Sequence, residues 1–325
     1  MENMSDKKGY TLSEVIREFP RTLSRGIGQV MFQDNAWTGL FFLAGIFWGA
    51  YSEGMGIVAW GALVGVIVST LAGYLLNLSD ENGAQGLWGF NGVLVGCAFP
   101  TFLGNTIWMW LALIVCSALT TWVRTAFNKM TAPYGVSSFT FPFVFCTWCF
   151  LLAARQFKGM PDTYMSTPEI TYHIDSVLSL GIVDLLKYWL KGISQVFLIN
   201  SWVTGVFFLV GLAVSSWRAS LWAAIASAIA LLTAICFRAP GNMISEGMYG
   251  FSAVLTGIAL GATFCNFSWK SAIWSVLGII VTVFIQAGMN SFMAPLGLAT
   301  LTGPFCLATW LMLIPAYKWF QPTIK

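Results

Sequence analysis

Three motifs occur twice in this chain, in the same order and at nearly constant separation. Arg25-Gly-Ile-Gly-Gln-Val returns as Lys191-Gly-Ile-Ser-Gln-Val, and both lead into Thr-Gly-x-Phe-Phe-Leu, at Thr38 and at Thr204. Gly86-Leu-Trp-Gly-Phe-Asn-Gly-Val-Leu returns as Gly247-Met-Tyr-Gly-Phe-Ser-Ala-Val-Leu. Ala132-Pro-Tyr-Gly returns as Ala294-Pro-Leu-Gly, each followed by Thr-x-Pro-Phe and then Thr-Trp, from Thr140 and from Thr302. The offsets are 166, 161 and 162 residues. Chance likeness between apolar stretches does not preserve order and spacing in this way, so the chain is one module written twice.

Each copy is apolar. Only 9% of the 325 residues are charged and 57% are hydrophobic, against roughly 25% charged in a soluble domain. Too little charge is present to cover a wetted surface, so the outside must face lipid. A net charge of +3 is too small and dispersed for a nucleic-acid partner. Apolar blocks bounded by Gly, Pro or charge fall at 36–52, 56–78, 89–104, 106–128 and 138–156. Five more follow at 200–216, 219–237, 250–266, 270–288 and 299–317. The blocks 89–104 and 250–266 are short for a span, which makes them tilted, broken or re-entrant. The expected organisation is a polar tail (1–24), a first repeat (25–156), a polar linker with an amphipathic segment (157–190), a second repeat (191–317) and a tail (318–325).

Five spans is an odd number, so the second copy starts on the opposite side of the membrane. The fold class expected is an all-α polytopic membrane protein of two inverted-topology repeats, an arrangement that places a solute site between the copies. With the N-terminus inside, eleven Lys and Arg collect on the cytoplasmic side and five outside, which favours cytoplasmic termini. The first 26 residues lack the apolar core of a signal peptide.

The spans are nearly free of ionisable groups. Glu53, Asp80, Glu81 and Glu246 lie at segment edges, and the single histidine, His173, lies in the linker. Ion coupling, metal catalysis and charged substrates all require charge at membrane depth, so passive passage of a neutral solute remains, with no cofactor and no metal. The seven cysteines include Cys146-Thr147-Trp148-Cys149, whose CxxC spacing has no second pair to support a metal; small buried side chains account for them. Gly26-Ile-Gly-Gln lacks the rest of a phosphate loop. Asn77-Leu-Ser79 and Asn266-Phe-Ser268 fit a glycosylation pattern too short to carry weight.

The uncharged polar landmarks come in pairs. Gln29 matches Gln195, and Thr140 matches Thr302, each Thr two residues before a proline, Pro142 and Pro304. A proline that breaks a membrane helix frees carbonyls, tolerated where the backbone lines a cavity. In one copy alone, the plainer account is that each Thr serves its own helix and each Gln a neighbour. Recurrence at both breaks favours a pore wall. Phe90 and Phe251 follow the paired Gly-x-x-Gly frames, with Leu94 and Leu255 one turn on, and Phe32 follows Gln29 where Leu198 follows Gln195. Facing rings form a flat slot that strips water from a planar molecule.

These motifs together resemble the urea transporter family in its bacterial form, over nearly the whole chain outside the tail and linker. The resemblance implies a homotrimer in lipid, a separate pore per subunit, and uncoupled passage of urea down its gradient. It also implies that re-entrant segments and half-helices line a central pore. On it, Gln29 and Gln195 mark outer and inner solute sites, with Val30 and Val196 beside them, and Thr140 and Thr302 lie in the central constriction. Phe32 and Phe90 form one aromatic slot and Phe251 belongs to the other, with Leu94, Leu255 and Val144 as the apolar wall. Leu198 stands where some members carry Phe, Cys306 where an apolar residue is expected, and Gln195 where some members are acidic. Short amides, ammonia and water are the rival solutes. An ammonia channel would need paired pore histidines, which this chain lacks. A membrane enzyme would need ionisable groups in its spans, and a scaffold would not need matched polar residues at matched breaks.

Overall fold

A computed structural model describes residues 12–76, 83–168 and 178–315. Thirteen α-helices occur among the described residues, and no strand. The first six are α1 (Leu12–Gln29), α2 (Ala36–Ser52), α3 (Ile57–Leu75), α4 (Phe90–Phe102), α5 (Ile107–Thr131) and α6 (Phe141–Ala154). They are followed by α7 (Ile182–Ser194), α8 (Trp202–Ser215), α9 (Trp217–Cys236), a single turn α10 (Gly241–Ser245), α11 (Phe251–Ile258), α12 (Trp269–Met293) and α13 (Gly303–Leu313). Among the described residues, each of the ten apolar blocks contains a helix. His173, Asp80, Glu81, the Asn77–Ser79 pattern and the tail 318–325 lie outside the described residues.

Helices α3, α5, α9 and α12 are long and apolar enough to cross a bilayer, whereas α4, α6 and α13 are shorter. Thirteen residues, the length of α4, rise about 20 Å, well short of a hydrocarbon core of roughly 30 Å. Apolar side chains face outward as well as inward, as lipid demands, and hydroxyls are drawn inside. Trp37, Leu75, Ile107, Trp217 and Leu232 are exposed, while Thr38, Ser69, Thr120, Thr256 and Thr282 are buried. Those hydroxyls are satisfied within the bundle: Ser69 donates to the Gly65 carbonyl at 2.8 Å and Thr282 to the Gly278 carbonyl at 2.7 Å. Gly61 and Gly65 of α3 press against Gly92 and Gly96 of α4, backbone on backbone, the close approach that small residues permit between membrane helices.

The two halves meet along α2 and α8. Thr38 Oγ1 donates to the Gly211 carbonyl at 2.7 Å, and Thr204 Oγ1 to the Gly45 carbonyl at 2.8 Å. Each Thr sits near the start of its helix and each acceptor further on, so α2 and α8 run antiparallel. Matched residues make matched bonds in both directions, the mark of a two-fold relation. Phe42 and Phe208 pack at the centre of the seam, with ring centroids 4.9 Å apart.

Two expectations change. The boundaries at 24/25 and 190/191 fall inside α1 and α7, helices continuous with the motifs they lead into. In α1, Phe19 packs on Tyr74 at 6.3 Å and Thr22 lies 3.3 Å from the Tyr74 hydroxyl. Pro142 and Pro304 do not break helices. Each stands in the first turn of one, α6 or α13, where a missing N–H costs nothing and the fixed φ suits the start.

Candidate functional site

The centre of the molecule is where α6 and α13 begin. Thr140 and Thr302 are their N-caps, in near-identical conformations (φ −89° and −87°). The preceding residues, Phe139 and Leu301, both take φ +51°, so each chain turns sharply before its helix. The two helix starts converge until Thr140 Oγ1 lies 2.6 Å from Thr302 Oγ1. Both threonines are only 2% exposed. Cys306 Sγ, one turn into α13, lies 3.4 Å from Thr140 Oγ1. Its matching residue Val144 is fully buried, as are Leu94 and Leu255. The arrangement is a hydroxyl pair at two positive helix ends, walled by apolar groups.

On either flank stands a glutamine with half of its amide already engaged. Gln29, the last residue of α1, donates Nε2–H to the Gln85 carbonyl at 3.1 Å; Gln195, just past α7, donates to the Glu246 carbonyl at 3.0 Å. Because a carbonyl accepts in both cases, Nε2 is the bound end of each amide. The bonds depend on Gly86 (φ +95°) and Gly247 (φ +75°), whose left-handed backbones lie against Gly26 and Gly192 with no room for a side chain. Val30 and Val196, next to the glutamines, are buried, and Phe32 (φ +63°) and Leu198 (φ +58°) turn the chain away.

The two flanks then diverge. Gln195, Val196, Leu198, Phe251 and Thr302 line one cavity of about 440 Å³, room for on the order of ten waters. Gln29, Val30, Phe32 and Phe90 do not line it. Phe32 instead meets Phe264 at 5.4 Å, Phe305 at 5.9 Å and Phe139 at 6.2 Å, all edge to face. Phe139 also meets Phe264 at 5.5 Å and Phe305 at 5.4 Å. Of the matching residues in the other half, Leu198, Phe143 and Leu301 line the cavity, as does Phe102 at the end of α4. Leu198 and Leu301 therefore stand on the cavity where the other flank carries the packed rings of Phe32 and Phe139. Phe90, at the start of α4, lies under the Arg124 guanidinium, 5.8 Å from its ring centroid.

Phe139, Phe264 and Phe305 were not among the residues singled out in the sequence. Phe264 reaches the cluster because α11 ends in a π-turn over Ala259–Thr263, its N–H bonding to the Ala259 carbonyl at 2.8 Å, a distortion frequent at functional sites. Phe305 could have been found as the Phe of the second Thr-x-Pro-Phe motif. No group of three or more potential metal ligands occurs among the described residues, and all seven cysteines are free thiols.

Comparison with known proteins places this geometry. The pattern of the urea transporter family matches residues 21–317. Urea transporter 1 of Ovis aries is 30% identical over 309 residues, covering 93% of this chain and 78% of the sheep protein. The proteins of the same name from Capra hircus and Rattus norvegicus are 30% and 29% identical, at 93% and 92% of this chain. The matched region takes in both copies of every repeated motif, and on this evidence the chain is a member of the urea transporter family rather than an enzyme.

Proposed function

We propose that this protein conducts urea passively along a path from Gln29 past the Thr140–Thr302 pair to Gln195. The observation that carries this is the pairing of hydroxyls at 2.6 Å between two glutamines whose amide nitrogens are tied down. Urea is flat and neutral and offers four N–H donors in one plane. A succession of Gln and Thr oxygens accepts those donors in turn, while Phe32, Phe90 and Phe251 cover its faces and Val30, Val196, Leu94, Leu255 and Val144 exclude water. No single station binds tightly, which permits passage. Cations are excluded because the two converging helix starts present positive potential and an apolar wall returns little of the lost hydration.

The inverted-topology repeat is supported by the antiparallel, reciprocal α2–α8 seam together with the loop charges. If both termini are cytoplasmic, Glu53 and Ser166, which line the cavity, stand in loops on the far side. That puts Gln195 at the outer end and Gln29 at the inner, the reverse of the order carried over from the resemblance. A homotrimer in a bacterial inner membrane, one pore per subunit, rests on the resemblance.

The test is urea flux into proteoliposomes by stopped flow, with and without a protonophore. Flux well above that of empty vesicles and indifferent to the protonophore supports a passive pore. Flux equal to empty vesicles removes urea from the proposal, and collapse under the protonophore replaces the pore with a coupled carrier.

A further inference from the structure

We infer that Gln286, on α12, is a further urea-binding residue, forming a station in the wide cavity before Gln195. The inference rests on the reading of the chain as a urea conductor and adds to it a residue outside the paired motifs.

Gln286 is only 2% exposed, yet it lines the 440 Å³ cavity together with Gln195 and Phe251. Its Nε2 is held at two points, 2.6 Å from Thr300 Oγ1 and 3.0 Å from Asn290 Oδ1. Two bonds on one end fix the plane of the amide. Its carbonyl oxygen is enclosed and has no hydrogen-bond partner. Leaving such an acceptor unsatisfied is costly, and a buried polar group without a partner calls for an explanation. A second enclosed oxygen without a partner, Asn200 Oδ1, belongs to the wall of the same cavity.

The fold itself does not demand an amide here. Helices α5 and α12 are both 25 residues long, and the position of Gln286 in α12 is that of Arg124 in α5. The first copy thus carries a guanidinium stacked on Phe90 where the second carries an anchored amide in the cavity that Phe251 lines. What the second copy gains is a fixed carbonyl acceptor, and the chemistry it suits is a planar amide rich in N–H donors. Urea accepted there meets Gln286 first and passes to the free oxygen of Gln195, with the Phe251 ring against it.

The experiment is the concentration dependence of urea flux through wild type, Gln286→Met and Gln286→Glu in proteoliposomes. Met keeps the length and volume and removes the acceptor; Glu keeps an oxygen acceptor but loses the Nε2–H bonds to Thr300 and Asn290. The expected result for Gln286→Met is a three- to tenfold rise in the urea concentration at half-maximal flux, with maximal flux altered less than twofold. Gln286→Glu, with an acceptor but no anchors, should recover part of that shift. Gln286→Met indistinguishable from wild type overturns the inference, as does an equal loss of maximal flux in both variants, which would mean structural damage. Should Gln286→Met fold poorly, Thr300→Val removes one anchor and leaves the carbonyl: a raised half-saturation supports the station and an unchanged one overturns it. A wild type that passes no urea defeats the functional reading itself, whereas a conducting wild type with an unaffected Gln286→Met defeats this inference alone.

Discussion

Gln29 and Gln195 are placed by glycines rather than by their own helices. Each glutamine reaches a carbonyl one residue before a left-handed glycine, Gly86 or Gly247, and each glycine touches the turn carrying the glutamine. A side chain at either glycine meets backbone and must also adopt a positive φ, a strain of about 1–3 kcal/mol. Gly86→Ala and Gly247→Ala should therefore lower the midpoint of thermal unfolding in detergent and reduce urea flux together; an unaltered midpoint in either would contradict this placement. These pairs were legible in the sequence because a duplicated chain repeats its special positions. Gln286 was not, since nothing at the matching position, Arg124, resembles it, and its partner Thr300 lies on another element.

Between elements, the α2–α8 seam holds the halves together without charge. It consists of two Thr-to-carbonyl bonds and interleaved glycines and phenylalanines, and each hydroxyl bond in such a setting contributes about 0.6–2 kcal/mol. Thr38→Val and Thr204→Val should each destabilise modestly. Gly45→Leu, which meets Phe207 Cβ at 2.8 Å and the Phe208 ring, should abolish monodisperse protein on gel filtration. A Gly45→Leu variant that purifies as well as wild type would show that the seam is not what joins the copies. Helix positions were readable from apolar blocks alone, yet the role of the prolines was not: a Thr-x-Pro-Phe motif is compatible with a broken helix or a beginning one, and only φ at Phe139 and Leu301 separates them. Likewise the Phe32 cluster draws two rings from each copy, and helical periodicity carries no information about contacts between distant segments.

The molecule as a whole combines a duplicated frame with unlike ends. Phe32, Phe139, Phe264 and Phe305 close one flank, and Leu198 and Leu301 leave the other open. The closed flank should then limit flux. Phe139→Leu, which removes a ring from that cluster, is expected to raise urea permeability severalfold, while Leu198→Phe with Leu301→Phe is expected to lower it by filling the cavity. Equal permeability in all three would mean that neither flank sets the rate. The proposed opposite orientation of the two copies has its own consequence. With Cys149 and Cys236 replaced by Ser, Ser291→Cys should react with a membrane-impermeant maleimide in intact cells and Lys129→Cys, its match in the other copy, should not; labelling of both from outside would contradict the inverted arrangement.

The central claim is that urea passes between Thr140 and Thr302, and stopped-flow urea flux through Thr140→Val and Thr302→Val tests it most directly. Valine keeps the shape of each side chain and removes the hydroxyl, so a solute crossing there loses an oxygen partner worth about 1–3 kcal/mol, where 1.4 kcal/mol is tenfold in rate. The account predicts that each variant folds as wild type does and that its urea flux falls about tenfold or more. Folded variants that conduct urea at the wild-type rate would contradict it, because the solute would then be crossing somewhere other than between those two hydroxyls.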